Sequence, residues 1–173
     1  MTVTRTLKTQ VELDLVLDRL AEDPEGFAAK AKRRAQDWNR KGCDLELRDP
    51  TGWKRSEGTG RPDREGRVAT IEEQLRSEID MITIMGREEE AQHARRIEFA
   101  RLRLEHALKR HKLTQEEIAG KVFYSPTTYR NVCEESCELP GEVCRRWVEL
   151  HHLRTELVER NLYLAVILSL IHI

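Results

Sequence analysis

The segment GREEEAQHARRIEFARLRLEHALKRHK, residues 86–112, constrains the fold more than any other part of the chain. It contains no proline and no glycine after its first residue. Glu88, Glu89 and Glu90 fall where the positive end of a helix dipole favours anions, and Lys109, Arg110 and Lys112 where its negative end favours cations. Gly86 suits the N-cap. Ala94, Ile97, Leu104, Ala107 and Leu108 recur at helical spacing and are expected to form the buried stripe. Arg95, Arg96, Arg101 and Arg103 are expected to cover the solvated remainder. A helix of this length draws its stability from elements packed on its apolar face. The expected class is therefore all-α.

Composition agrees. Charged residues make up 35% of the 173 residues and aromatics only 5%, so a core must rest on Leu, Ile, Val and Ala, as in packed amphipathic helices. The length suits one domain or two very small ones. A net charge of −1 neither supports nor excludes a nucleic-acid partner, because a local basic face matters more than the sum. No apolar run reaches the roughly eighteen residues of a membrane span. No apolar signal region opens the chain, so Cys43, Cys133, Cys137 and Cys144 are expected to be free thiols in a reducing cytoplasm. Cys133, Cys137 and Cys144, with His151 and His152, lack the paired CxxC of a zinc site, and no metal or other cofactor is expected. A phosphate loop, a nucleophile elbow and HExxH are all missing from the sequence, which points away from catalysis on a small-molecule substrate.

The remaining segments read as short helices and breaks. Val11, Leu13, Leu15, Val16, Leu17 and Leu20 suit a helix from Thr9 to Leu20, although the early alternation also fits a strand. Asp23 and Pro24 predict the N-cap and first position of a second helix ending near Lys41 and Gly42. Its KAKRR run, residues 30–34, fits either a solvated face or a phosphate contact. Residues 48–67, rich in glycine and charge around Trp53, predict a linker between a small helical segment (1–47) and a larger helical domain (68–167). Thr70 with Glu73 is a capping box ahead of Ile71, Leu75, Ile79 and Ile82. Thr114 with Glu117 is another, and Ser125 before Pro126 starts a further short helix. After ELPGE, a last helix carries Val143, Trp147, Leu150, Leu153, Leu157, Asn161 and Leu164 at helical spacing. The final LSLIHI, residues 168–173, matches one frame of a transposon-end sequencing adaptor and is expected to be a non-native tail on a truncated chain.

Two blocks carry a resemblance. IDMITIMGREEEAQHARRIEFAR (79–101) resembles region 1.2 of the sigma-70 family of bacterial RNA polymerase sigma factors. ELHHLRTELVERNLYLAV (149–166) resembles the start of that family's region 2.1, with Arg160, Asn161 and Leu162 as its most specific part. The resemblance implies the front portion of a sigma factor, with core RNA polymerase and promoter DNA as partners and an anti-sigma protein as a further one. It implies that Arg87, Arg95 and Arg96 contact promoter DNA. It also implies that Leu157, Val158, Leu162 and Leu164 pack the helices supporting the polymerase contact, with Arg160 and Asn161 as polar neighbours of that junction. Asn161 is then expected to bond a backbone group of the crossing helix. The helices starting at Gly86 and Val143 are expected to lie side by side.

Between the blocks, LTQEEIAGKVFYSPTTYRNV (113–132) is similar to the helix-turn-helix of Cro/CI-type repressors. That resemblance implies DNA contacts from Gln115, Ser125, Thr127, Thr128 and Arg130. A helical adaptor that binds only protein is the third reading.

Overall fold

The computed structural model describes residues 5–48, 70, 73, 82–118 and 139–171, with side chains as far as residue 162. Helix accounts for 73% of the described residues and strand for 7%, in line with the expected all-α class. The described elements are β1 (Thr6–Lys8), α1 (Gln10–Ala21), α2 (Phe27–Arg40), β2 (Cys43–Leu45), α3 (Arg87–His111), α4 (Gln115–Ile118) and α5 (Gly141–Ile171). No helix among the described residues is long and apolar enough to cross a membrane.

The capping chemistry sets the starts. Thr9 caps α1 in a full capping box: its hydroxyl accepts the Glu12 N–H at 3.2 Å, and Glu12 accepts the Thr9 N–H at 3.0 Å. The same reciprocal bonds join Thr70 to Glu73 and Thr114 to Glu117. α3 starts after Gly86, as its sequence requires, and ends at Lys112, whose φ of 55° is left-handed. The Leu113 N–H then returns to the Leu108 carbonyl at 3.0 Å and closes the helix end.

α2 begins later than predicted. Asp23 does take the Gly26 N–H, at 3.0 Å, but residues 22–26 form a turn, and Gly26 is the N-cap. A Cβ there would lie 2.3 Å from an Asp23 oxygen, so a larger residue would push that carboxylate from its place 2.7 Å from Lys30. Pro24 therefore sits in the turn instead of opening the helix. At the other end Gly42 turns the chain through a φ of 67°.

The two strands were not foreseen. β1 and β2 pair in parallel, Thr6 with Cys43 through Lys8 with Leu45, and α1 and α2 form the crossover. The pairing needs only three residues a side, too few to leave a period in the sequence.

α3 is the central element, with α1, α2 and α5 packed around it. α5 runs antiparallel to it: Glu89 meets Arg160 at one end and Arg110 meets Glu142 at the other. The expected side-by-side placement of these two helices is present. The shared core includes Leu13 and Leu17 of α1, Trp38 of α2, Phe99 and Leu104 of α3, and Val143 and Leu150 of α5. Trp38 and Phe99 meet edge to face, with centroids 5.2 Å apart.

Leu104, Ala107 and Leu108 of the predicted α3 stripe are buried, but its first half departs. Ala94 is exposed and Ile97 half-buried, while His93, Arg96, Phe99, Ala100, Leu102 and Arg103 join the interior. The sequence places Arg96 and Arg103 on the solvated face. They turn inward because carboxylates from other elements wait for them there, as described next.

Candidate functional site: the polar seam between the long helices

The interface of α3 with its neighbours is crossed by three sets of buried charges. The first closes the edge of the small sheet. On the side of β2 away from β1, the Cys43 carbonyl and the Leu45 N–H meet no strand among the described residues. Arg103 donates to the Cys43 carbonyl, and Glu149 accepts the Leu45 N–H at 2.8 Å. Two side chains thus supply what a third strand would. Arg103 and Glu149 bond each other at 2.9 Å, and Arg146 donates to Glu149 at 2.6 Å and to Asp44. Asn39 brackets Arg103, accepting from its Nε at 3.0 Å and donating to its backbone carbonyl at 2.8 Å. Arg103 and Arg146 are fully buried, so each guanidinium depends on these acceptors. Burial pushes the Glu149 carboxyl up from the usual range, while Arg146 pulls it back.

The second set fixes α1. Arg96 grips Asp14 with a two-bond fork, at 2.6 and 2.5 Å, and reaches Gln10 at 3.3 Å. Arg95 pairs with Asp18 at 2.8 Å nearer the surface.

The third joins the start of α3 to the later turns of α5. Arg160 donates to both oxygens of Glu89, at 2.5 and 2.9 Å, and to the Thr83 carbonyl at 2.9 Å. Its bond to Glu89 holds that carboxyl below its usual range. Fully buried Glu156 lies 3.6 Å from Arg160 and 3.8 Å from Arg48. Beside it His93 bonds the Leu153 carbonyl at 2.7 Å. A carbonyl can only accept, so the proton is on Nε2. Burial pushes the His93 and His152 imidazoles down, against the pull of Glu156.

The expected DNA contacts are placed unequally. Arg87 and Arg95 line a cleft of about 860 Å³ at the start of α3, together with Asp18, Glu88 and Glu89. Arg87 is exposed and makes no ion pair among the described residues, Arg95 is paired, and Arg96 is 4% exposed and engaged with Asp14. Arg96 therefore acts inside the protein. The three carboxylates on the same cleft oppose an approaching phosphate.

Of the α5 residues, Arg160 is the helix-to-helix tie. Asn161 was expected to bond the crossing helix, but it donates to the Leu157 carbonyl one turn back in its own helix, at 2.9 Å. The guanidinium, longer and forked, reaches what the amide does not. Leu157 is half-buried, and Val158 and Leu162 point outward, 64% and 36% exposed, instead of packing inside. The inward positions 153, 156 and 160 set the helix phase, and this turns 158 and 162 to solvent. The Leu164 side chain lies outside the described residues. So do Ser125, Thr127, Thr128 and Arg130, while Gln115 opens α4 as the helix-turn-helix resemblance requires. The predicted linker 48–67 is described only at Arg48.

Sequence reasoning missed the buried network of Arg103, Arg146 and Glu149, and the buried Glu156 and His93 near Arg160. A trace was available, since charges on the apolar side of a helix must be partnered. Cys43 and Cys144 are buried and form no disulfide among the described residues, where no metal-binding group of His, Cys, Asp or Glu occurs either. No protein family, curated protein or solved structure matches this chain.

Proposed function

We propose that this chain is the front portion of a sigma-70-type initiation subunit, which joins core RNA polymerase and helps to hold promoter DNA. One observation carries the reading. Arg160, from the most specific stretch of the second block, is buried against Glu89 and Thr83 of the first. Two segments 71 positions apart, Glu89 and Arg160, are thereby built as one unit, as a sigma factor requires of regions 1.2 and 2.1. On this reading outward-facing Val158 and Leu162, one turn apart on α5, belong to the surface that meets polymerase. Arg87, the unpaired cation at the start of α3, is the remaining candidate there for a DNA backbone contact.

The test is capture of purified bacterial core RNA polymerase by the immobilised chain. Capture should be displaced by an intact sigma-70-type factor and weakened by Val158→Asp with Leu162→Asp. Failure to capture, or capture that a sigma factor does not displace, rejects the reading. A Cro/CI-type regulator is the second reading, favoured by the Thr114–Glu117 capping box at the start of α4. It requires sequence-specific duplex binding without polymerase.

A further inference from the structure

We propose that the exposed basic face of α2 is a sequence-independent binding surface for the phosphate backbone of duplex DNA. Residues 30–41 hold six cations, Lys30, Lys32, Arg33, Arg34, Arg40 and Lys41, against the single acid Asp37, in a chain whose net charge is −1. Helix stability does not explain them. Lys30 and Lys32 fall in the first half of the helix, whose first turn holds no acid, whereas α3 fills its first turn with Glu88, Glu89 and Glu90.

Lys30 and Lys41 are held by Asp23 and Asp37, at 2.7 and 2.9 Å, but the fold does not use the others in an ion pair among the described residues. α2 buries Ala31, Ala35, Trp38 and Asn39, and leaves Lys32, Arg33 and Arg34 exposed. None of those three has a carboxylate within ion-pair distance among the described residues. Arg96, Arg103, Arg146 and Arg160, in contrast, are all buried against acids. Lys30, Arg33 and Arg34 line a cleft of about 330 Å³ with Leu20 of α1, and the one acid in it, Asp37, is held by Lys41 at 2.9 Å.

The spacing fits a run of phosphates. Lys30 and Arg34 are separated by one turn, about 6 Å of rise. A DNA strand presents one charge per roughly 3.4 Å of axis, so one helical turn of the basic face spans about two phosphate groups. Guanidinium forks match phosphate oxygens in pairs. A membrane-surface helix would need bulky apolar side chains beside its cations. Here the apolar side of α2 is in the core, and only half-buried Leu20 borders the cleft.

The test is fluorescence anisotropy of a labelled random-sequence duplex with the full chain, from about 50 to about 200 mM salt. The wild type should give a linear fall of log K with log salt. Arg33→Ala with Arg34→Ala should lower affinity and reduce the slope by about 2, close to one per lost cation. Both sites are exposed, and unchanged circular dichroism would show the fold intact; Arg33→Gln with Arg34→Gln should give the same loss. No salt-dependent binding, or an unchanged slope in a folded variant, overturns the proposal. Displacement of the duplex by polyglutamate at equal charge, or tighter binding to anionic vesicles than to DNA, overturns it in favour of those partners. Polymerase capture does not enter this test, so this proposal and the sigma reading can fail separately.

Discussion

Glu149 is, with Arg103, a centre of the buried seam, since it joins β2, α3 and α5. One oxygen takes the Leu45 N–H and the Arg146 guanidinium, and the other takes Arg103. Neutralising it leaves two buried guanidinia undercompensated, for which the cost is about 3–5 kcal/mol. Glu149→Gln should therefore lower the urea midpoint by an amount in that range; a change below about 1 kcal/mol would show the charges to be solvated. Asn161→Leu should behave oppositely. Its amide serves only its own helix, so stability should stay within about 0.5 kcal/mol in the same titration. These two residues also show what the sequence could and could not disclose. Asn161 drew notice as a polar residue on an apolar stripe, yet its bond is local. Arg96 and Arg103 read as solvated because their acceptors, Asp14 and Glu149, lie 82 and 46 positions away. Local periodicity carries no trace of a partner that distant.

Helix boundaries were the most legible feature, because a cap is a bond over three residues. Thr9, Gly86 and Thr114 each stand where their helix begins. α2 departs by a turn because Asp23 caps the turn before the helix, and Gly26 intervenes. The strands escaped notice because each depends on the other, and on Arg103 and Glu149 for its free edge. The end of α3 yields a prediction at this scale. Lys112 adopts a left-handed backbone that costs a side chain about 1 kcal/mol or more, while glycine takes it freely. Lys112→Gly should raise stability by up to about 1 kcal/mol, read as a higher thermal midpoint; a fall of that size would contradict the capping account.

Across the whole molecule, the long helices are joined by buried ions as well as apolar contacts, and the histidines buried in that seam make the fold sensitive to acid. Burial lowers the pKa of His93 and of His152, so the unfolded chain protonates first as pH falls through about 6.5. More protons on the unfolded chain means stability that is full above that pH and declines below it, by at most about 1.4 kcal/mol per pH unit for each histidine. Urea midpoints should fall between about pH 7 and about pH 5.5, and His93→Gln should remove part of the fall. A flat profile would place both imidazoles in water. The central claim is that α3 and α5 form one cooperative unit because buried charges, Arg160 foremost, tie them together. Native-state hydrogen exchange measures this directly. Amides at 89–95 of α3 and 153–160 of α5 should exchange through a common opening, and Arg160→Met should speed both sets together. If α5 amides exchange independently of α3, or if Arg160→Met leaves both unchanged, the two blocks are not one unit.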